Sequence, residues 1–202
     1  MLEAFTGLAD WLLISPFRAV LAVSGNSMVA FLAGTLVLVF VATVVGELTM
    51  AGIYWLNRRH FAELHRQMVT HNNLSVRALA SKDKASYTAC NKMANEYFGR
   101  NLFSGFTLFA SSLWPAFFAL AWMSSRFDDL TLPLWKFEIR HHSVFLLLYI
   151  PMRILFGMNK KRIWPFNHAV AFKKRNEDCG EDLMTMGDLM PKKQAEADRK
   201  AG

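Results

Sequence analysis

Hydrophobic residues in this chain are massed rather than scattered. Met28 to Gly46 carries no charge over a length that matches the hydrocarbon core of a bilayer, and Leu102 to Met123 is a second charge-free run of spanning length. Ser143 to Met158 is a third run, shorter and interrupted by Arg153. A single run of this kind fits a buried helix of a soluble domain, but two of spanning length point to a membrane. The pattern predicts an all-α integral membrane protein with three transmembrane helices.

The first residues read differently. Leu8, Trp11, Leu12, Leu13, Phe17 and Leu21 share the stretch Leu2 to Ser24 with Asp10, Pro16 and Arg18. The stretch lacks the basic start of a signal peptide, and Pro16 is expected to break a continuous helix. The expectation is an extracytoplasmic amphipathic helix within residues 1–27 that lies in the interface, anchored by Trp11 and Phe17.

Between the first two runs, residues 56–100 are polar yet periodic. Phe61, Leu64 and Met68 follow helical spacing, as do Val76 and Leu79, and Cys90, Met93, Ala94, Tyr97 and Phe98 form a second periodic set. This predicts an antiparallel helical hairpin with its tip near residues 80–83, Ser81 as the N-cap of the second arm, and Asn72-Asn73 as an interruption of the first. Each arm would be about 20 residues and about 30 Å long.

Charge orients these elements. Residues 1–27 hold one Lys or Arg, residues 56–100 hold eight, residues 124–142 hold three, and the chain after Met158 holds ten. Basic segments remain in the cytoplasm, so the alternation predicts an N-terminus outside, a cytoplasmic hairpin and a cytoplasmic C-terminus. A bacterial or archaeal cell membrane is favoured over an ER membrane. The expected organisation is an interfacial helix in 1–27, a membrane core over 28–165 that includes the hairpin, and a basic to mixed-charge tail over 166–202, partly disordered. Trp164 and Phe166 are expected to anchor the start of that tail. Leu183, Met184, Met186, Leu189 and Met190 read as a local packing patch or as a Met-rich surface for hydrophobic segments.

Composition agrees with the membrane class: 53% of residues are hydrophobic, with 17 Phe and 6 Trp. The formal charge of +7 reflects topology and also favours contact with anionic lipid heads. Arg58, Arg59, Arg66, Arg77, Lys82 and Lys84 give the hairpin a net basic face, which suits either lipid heads or a polyanion such as ribosomal RNA or an acidic partner. Cys90 and Cys179 read as free thiols in a reducing compartment. No Cys-x-x-Cys pair, phosphate-binding Gly-rich loop or nucleophile elbow is present. No cofactor, metal or catalytic residue is expected, and the chain does not read as an enzyme.

Charges inside the apolar runs carry the functional signal. The topology puts Thr43 and Glu47 in the cytoplasmic half of the first span, and Arg153 toward the cytoplasmic end of the third. Ser104, Thr107 and Ser111 fall in the cytoplasmic half of the second, on one helical face. Intramembrane charges face protein or water and mark a pathway or a partner. Two readings stay open: a water-accessible groove open to the cytosol, splayed by kinks at Pro115 and Pro151, or a structural ion pair between Glu47 and Arg153 with Ser and Thr as interhelical glue.

The arrangement of an outside N-terminus, a first span, a cytoplasmic hairpin, two more spans and a basic tail resembles the YidC/Oxa-type membrane insertase superfamily. That group includes the ER membrane complex subunit 3 and its archaeal relatives. The resemblance is architectural and covers roughly residues 28–165. Many bacterial members carry an Arg in the first span, whereas here that span has Glu47 and the Arg is in the third. The resemblance implies an insertase that helps newly made membrane proteins enter the bilayer, with the ribosome or another membrane subunit as a further partner. The alternative is an accessory subunit of a larger membrane complex.

Overall fold

The computed structural model describes residues 2–128, 131–134 and 137–189. They form seven helices: α1 (Leu2–Ser24), α2 (Ser27–Leu56), α3 (Arg58–Ala80), α4 (Lys84–Ala110), α5 (Trp114–Phe127), α6 (His141–Asn159) and α7 (Phe166–Glu177). A short antiparallel ribbon of β1 (Thr131–Leu134) and β2 (Phe137–Arg140), with Thr131 opposite Arg140, joins α5 to α6. A 3₁₀ turn, Met186–Leu189, follows α7. Three stretches are long and apolar enough to cross a membrane: Ser27–Leu56, Lys84–Phe127 taken through its break, and His141–Asn159. This supports a helical membrane protein and is compatible with several passes through the bilayer.

The described residues fall into two compact units. The first takes the chain up to Ala51 together with Ala110–Asn167, and the second takes Gly52–Phe109 with the described residues from His168. Val39 of α2, Met123 of α5 and Phe145 of α6 are fully buried at the centre of the first unit.

Pro16 does not interrupt α1, which runs through it. The missing amide costs one hydrogen bond, and tertiary packing on either side holds the helix together. Phe17 is a core residue rather than an interfacial anchor: it is buried against Phe31, Trp122 and Phe127. Its ring lies directly on α2 because Gly34 has no Cβ, which would overlap it. Trp11, by contrast, is 62% exposed. Asp10 ties α1 to α5, accepting from the Trp122 indole N–H at 3.0 Å and from Arg126 Nε at 2.9 Å.

The second apolar run is two helices rather than one. Pro115 has no N–H to give to the carbonyl four residues back and its ring crowds that carbonyl, so the helix ends ahead of it. α4 stops at Ala110, residues 111–113 are non-helical, and Pro115 takes the first turn of α5. The Leu113 N–H bonds Ala110 O at 3.1 Å, a tightened last turn.

The turn between α3 and α4 also differs from expectation. Ser81 ends α3 rather than starting α4. The Asp83 N–H bonds Ala78 O at 3.0 Å and the Lys82 N–H bonds Leu79 O at 3.1 Å, a Schellman closure. Lys82 takes the left-handed position with φ 60°. Asp83 is the N-cap, its Oδ1 accepting from the amides of Ala85 and Ser86 at 3.1 Å each. The two helices meet where the rings of His71 and Tyr97 stack at 5.2 Å and where Asn101 reaches Met68 Sδ at 3.7 Å. Asn72-Asn73 leaves α3 unbroken. Phe166 packs on Phe156 in the interior, while Trp164 is 76% exposed. Of the tail expected to be partly disordered, residues up to Leu189 are described, and residues 190–202 lie outside the described ones.

Two outcomes follow from the turn and the α1 anchor. Lys82→Gly removes the cost of a Cβ in a left-handed backbone and should raise stability by about 0.5–1 kcal/mol after the entropy of the added glycine, read as a higher unfolding midpoint in detergent. The Trp122 and Arg126 hydrogen bonds hold the Asp10 carboxyl below its ordinary value of 3.8. This stabilising contribution is complete at neutral pH and is lost as pH falls below 3.8 through the depressed value. Trp122 fluorescence in micelles should therefore change on acid titration in the wild type and not in Asp10→Asn.

Candidate functional site

A cluster of charges lies within the first unit, where α2, the break before α5 and the end of α6 come together. Glu47 comes from α2, Ser112 from the break, and Tyr149 and Arg153 stand one turn apart on α6. Arg153 Nη1 donates to the Tyr149 hydroxyl at 3.0 Å and Nη2 donates to Ser112 Oγ. Its Cζ lies 5.9 Å from the Tyr149 ring centroid, within cation–π range. Glu47 Oε1 is 3.9 Å from Arg153 Nη2, and Glu47 Oε2 is 3.6 Å from Lys160 Nζ at the end of α6. The side chains of Glu47 and Arg153 are 8% and 11% exposed, and that of Lys160 is 30% exposed. Among the described residues, one carboxylate thus faces two cations, a formal surplus of one positive charge.

Local sequence explains the meeting. Pro115 forces the break, and the break frees Ser112 to turn its hydroxyl to Arg153. Gly46 lets the break approach α2: a Cβ there would overlap the Ser112 carbonyl and come within 3.3 Å of Arg153 Nη1. Thr49 on α2 accepts from the Trp114 indole at 3.2 Å, fixing the start of α5 on the same stretch of α2. Thr43, fully buried, turns its hydroxyl back to Val39 O at 2.8 Å.

The predicted polar residues divide between the units. Thr43, Glu47, Ser111 and Arg153 belong to the first, while Ser104 and Thr107 belong to the second. Ser111 stands in the break, so it does not continue their helical face. Ser104 borders an open hollow of about 550 Å³ with His60, Leu64, Arg100 and Phe103. Thr107 is exposed and bonds Phe103 O at 2.9 Å. Ser112, Tyr149, Lys160 and Gly46 are the site residues that periodicity did not single out. The Pro three positions after Ser112 and the four-residue spacing of Tyr149 from Arg153 were the available signals.

The basic residues of the second unit are partly paired. Arg66 makes a two-point contact with Glu63, at 3.1 and 2.9 Å. This pairing holds Glu63 below the ordinary carboxylate range and raises Arg66. Arg77 lies 3.9 Å from Glu181, and Arg58 lies over the Trp55 ring at 5.3 Å. Arg59, Lys82 and Lys84 are exposed. His141 and His142 both approach Ser124 Oγ, at 3.4 and 2.8 Å. Among the described residues no group of three or more His, Cys, Asp or Glu is placed to hold a metal ion, and Cys90 and Cys179 are free thiols.

The three candidate spans support a helical membrane protein, and the charge cluster lies among residues of those spans. No protein-family model, curated protein or solved structure matches the chain.

The cluster's stoichiometry makes its members unequal. Glu47→Ala leaves two cations facing each other without a counter-ion and should cost about 3–5 kcal/mol. Arg153→Gln leaves Glu47 with Lys160 and should cost only about 1–2 kcal/mol, chiefly lost hydrogen bonds. Unfolding midpoints in detergent should rank wild type, Arg153→Gln, Glu47→Ala. Gly46→Ala should cost about 1–3 kcal/mol by pushing the break off α2, and the same assay reads it.

Proposed function

We propose that this protein is a membrane insertase or membrane-protein chaperone in which a polar groove, open to the cytosol, eases hydrophobic segments and their polar flanks into the bilayer. The surplus positive charge at the broken helix carries this reading. A client must drag polar loops or termini through hydrocarbon, where each unsatisfied polar group costs several kcal/mol. Arg153 and Lys160 would draw acidic client residues, and the hydroxyl of Ser111 would meet client backbone. Non-helical backbone at membrane depth is tolerated only where protein buries it or water lines it. α5 alone covers about 21 Å, short of the roughly 30 Å hydrocarbon. The candidate span that includes α5 begins ahead of the break, which in this reading puts the break inside the membrane.

In this reading the N-terminus is outside, α3 and α4 form a cytoplasmic hairpin, and the C-terminus is cytoplasmic. The distribution of Lys and Arg supports that orientation. α1 lies at the outer interface. Newly made membrane proteins are the clients, and the basic arm faces lipid heads or the ribosome.

The low exposure of Glu47 and Arg153 favours a second reading, in which they form the structural core of an accessory subunit in a larger complex. Arg153→Gln separates the two, because it keeps a counter-ion on Glu47. The protein is reconstituted in liposomes and challenged with a single-span client that has a short acidic translocated terminus. An insertase loses insertion by tenfold or more while its folded yield stays near wild type. Undiminished insertion, or insertion lost only in step with folded protein, would assign the cluster to structure.

A further inference from the structure

We infer that the face of α3 bearing Asn72, Asn73 and Arg77 is a binding site for an extended acidic peptide strand, and that residues 181–184 of this chain occupy it as a built-in, displaceable ligand. Asn73 is 2% exposed. Its Nδ2 donates to Asp182 O at 3.0 Å, and its Oδ1 accepts the Met184 N–H at 2.8 Å. Those two backbone groups, two residues apart, lie on one edge of an extended chain. An amide side chain therefore offers them the donor and acceptor that a neighbouring strand would offer. Asn72 Nδ2 adds a third bond, to Met184 O at 2.8 Å.

Three of the four bonds from Asn72 and Asn73 read backbone, which any extended segment satisfies; the fourth, from Asn73 Nδ2 to Glu181 Oε2 at 3.2 Å, reads an acidic side chain. Charge supplies the selectivity. Glu181 is 3.2 Å from Asn73 Nδ2 and 3.9 Å from Arg77, and His65 and Lys174 line the adjoining hollow of about 460 Å³. Glu181 and Asp182 make the bound segment acidic, and Glu177 and Asp178 lie just ahead of it. The hold is mainly polar, since Leu183 remains 49% exposed. Segments with little buried apolar surface open at low cost, so an acidic strand from a partner protein can replace this one. The release would also take Glu181 away from Arg77, which is exposed on the basic arm.

The test uses the full chain in detergent with Cys90→Ser, leaving Cys179 as the single thiol. Cys179 lines the hollow and donates to Glu181 O at 3.4 Å, so its labelling rate reports docking. Met184→Pro deletes the N–H that Asn73 receives, and Asn73→Leu deletes the clamp. Either should speed labelling at least tenfold. A fluorescein-tagged peptide of residues 177–189, with Ser at the cysteine position, should bind the Met184→Pro protein and at least tenfold less well to the wild type. It should not bind Asn73→Leu/Met184→Pro or Asn72→Leu/Met184→Pro, each checked for wild-type helix content. A peptide with Lys at the Glu181 and Asp182 positions should bind at least tenfold more weakly. Unchanged Cys179 labelling in both single variants would overturn the inference. So would a released segment with no peptide binding, or equal binding of the charge-reversed peptide.

Discussion

A guanidinium among apolar helices must be given hydrogen bonds and a counter-ion, and much of the first unit is arranged to meet that demand for Arg153. An uncompensated charge there costs several kcal/mol, comparable to the net stability of a whole domain. The partners come from three places in the sequence. Tyr149 is one turn back on the same helix, Glu47 is on α2, and Ser112 is in a break that exists because Pro115 cannot continue a helix. Gly46, next to Glu47, removes the side chain that would keep the break away. Each element is ordinary alone, and together they hold a charged group where hydrocarbon packing would exclude one.

Lys160 changes what the cluster can do. With Arg153 alone, Glu47 would form a neutral pair, which suits a structural subunit. A second cation within 3.6 Å leaves the cluster positively biased and places part of that charge on a side chain 30% exposed. A biased site that reaches solvent can attract an acidic segment, whereas a neutral closed pair has little to offer one. This bias is the physical link between the charge cluster and the insertase reading. The second unit repeats the theme in a polar setting, where Asn73 satisfies an extended chain through its backbone and Arg77 adds the charge preference.

The sequence made the three apolar stretches legible because spanning length without charge has few other uses. Glu47 and Arg153 stood out for the same reason, and they do meet. Ser112 did not stand out: a serine near a proline has no periodicity, and its role depends on a break whose position Pro115 sets only approximately. Phe17 was misread because an aromatic in an amphipathic stretch looks the same whether it faces lipid heads or a glycine on the next helix. The turn was found, but its chemistry was shifted by two residues, since Ser81 and Asp83 are both good caps and only the Schellman closure at Lys82 distinguishes them. Asn72-Asn73 looked like a helix interruption because asparagine competes with helical backbone. Its partner, a polar segment more than a hundred residues away, leaves no local signal.

Water access at the break bears most directly on the groove. A single cysteine at Ser111, in a chain whose own cysteines are replaced by serine, is treated with a membrane-impermeant thiol reagent in sealed vesicles of known orientation. A cytosol-open groove predicts that it reacts from the cytosolic face and not from the outer face. Protection in intact vesicles, relieved only when detergent dissolves the membrane, would contradict the groove and leave the cluster as a sealed structural core.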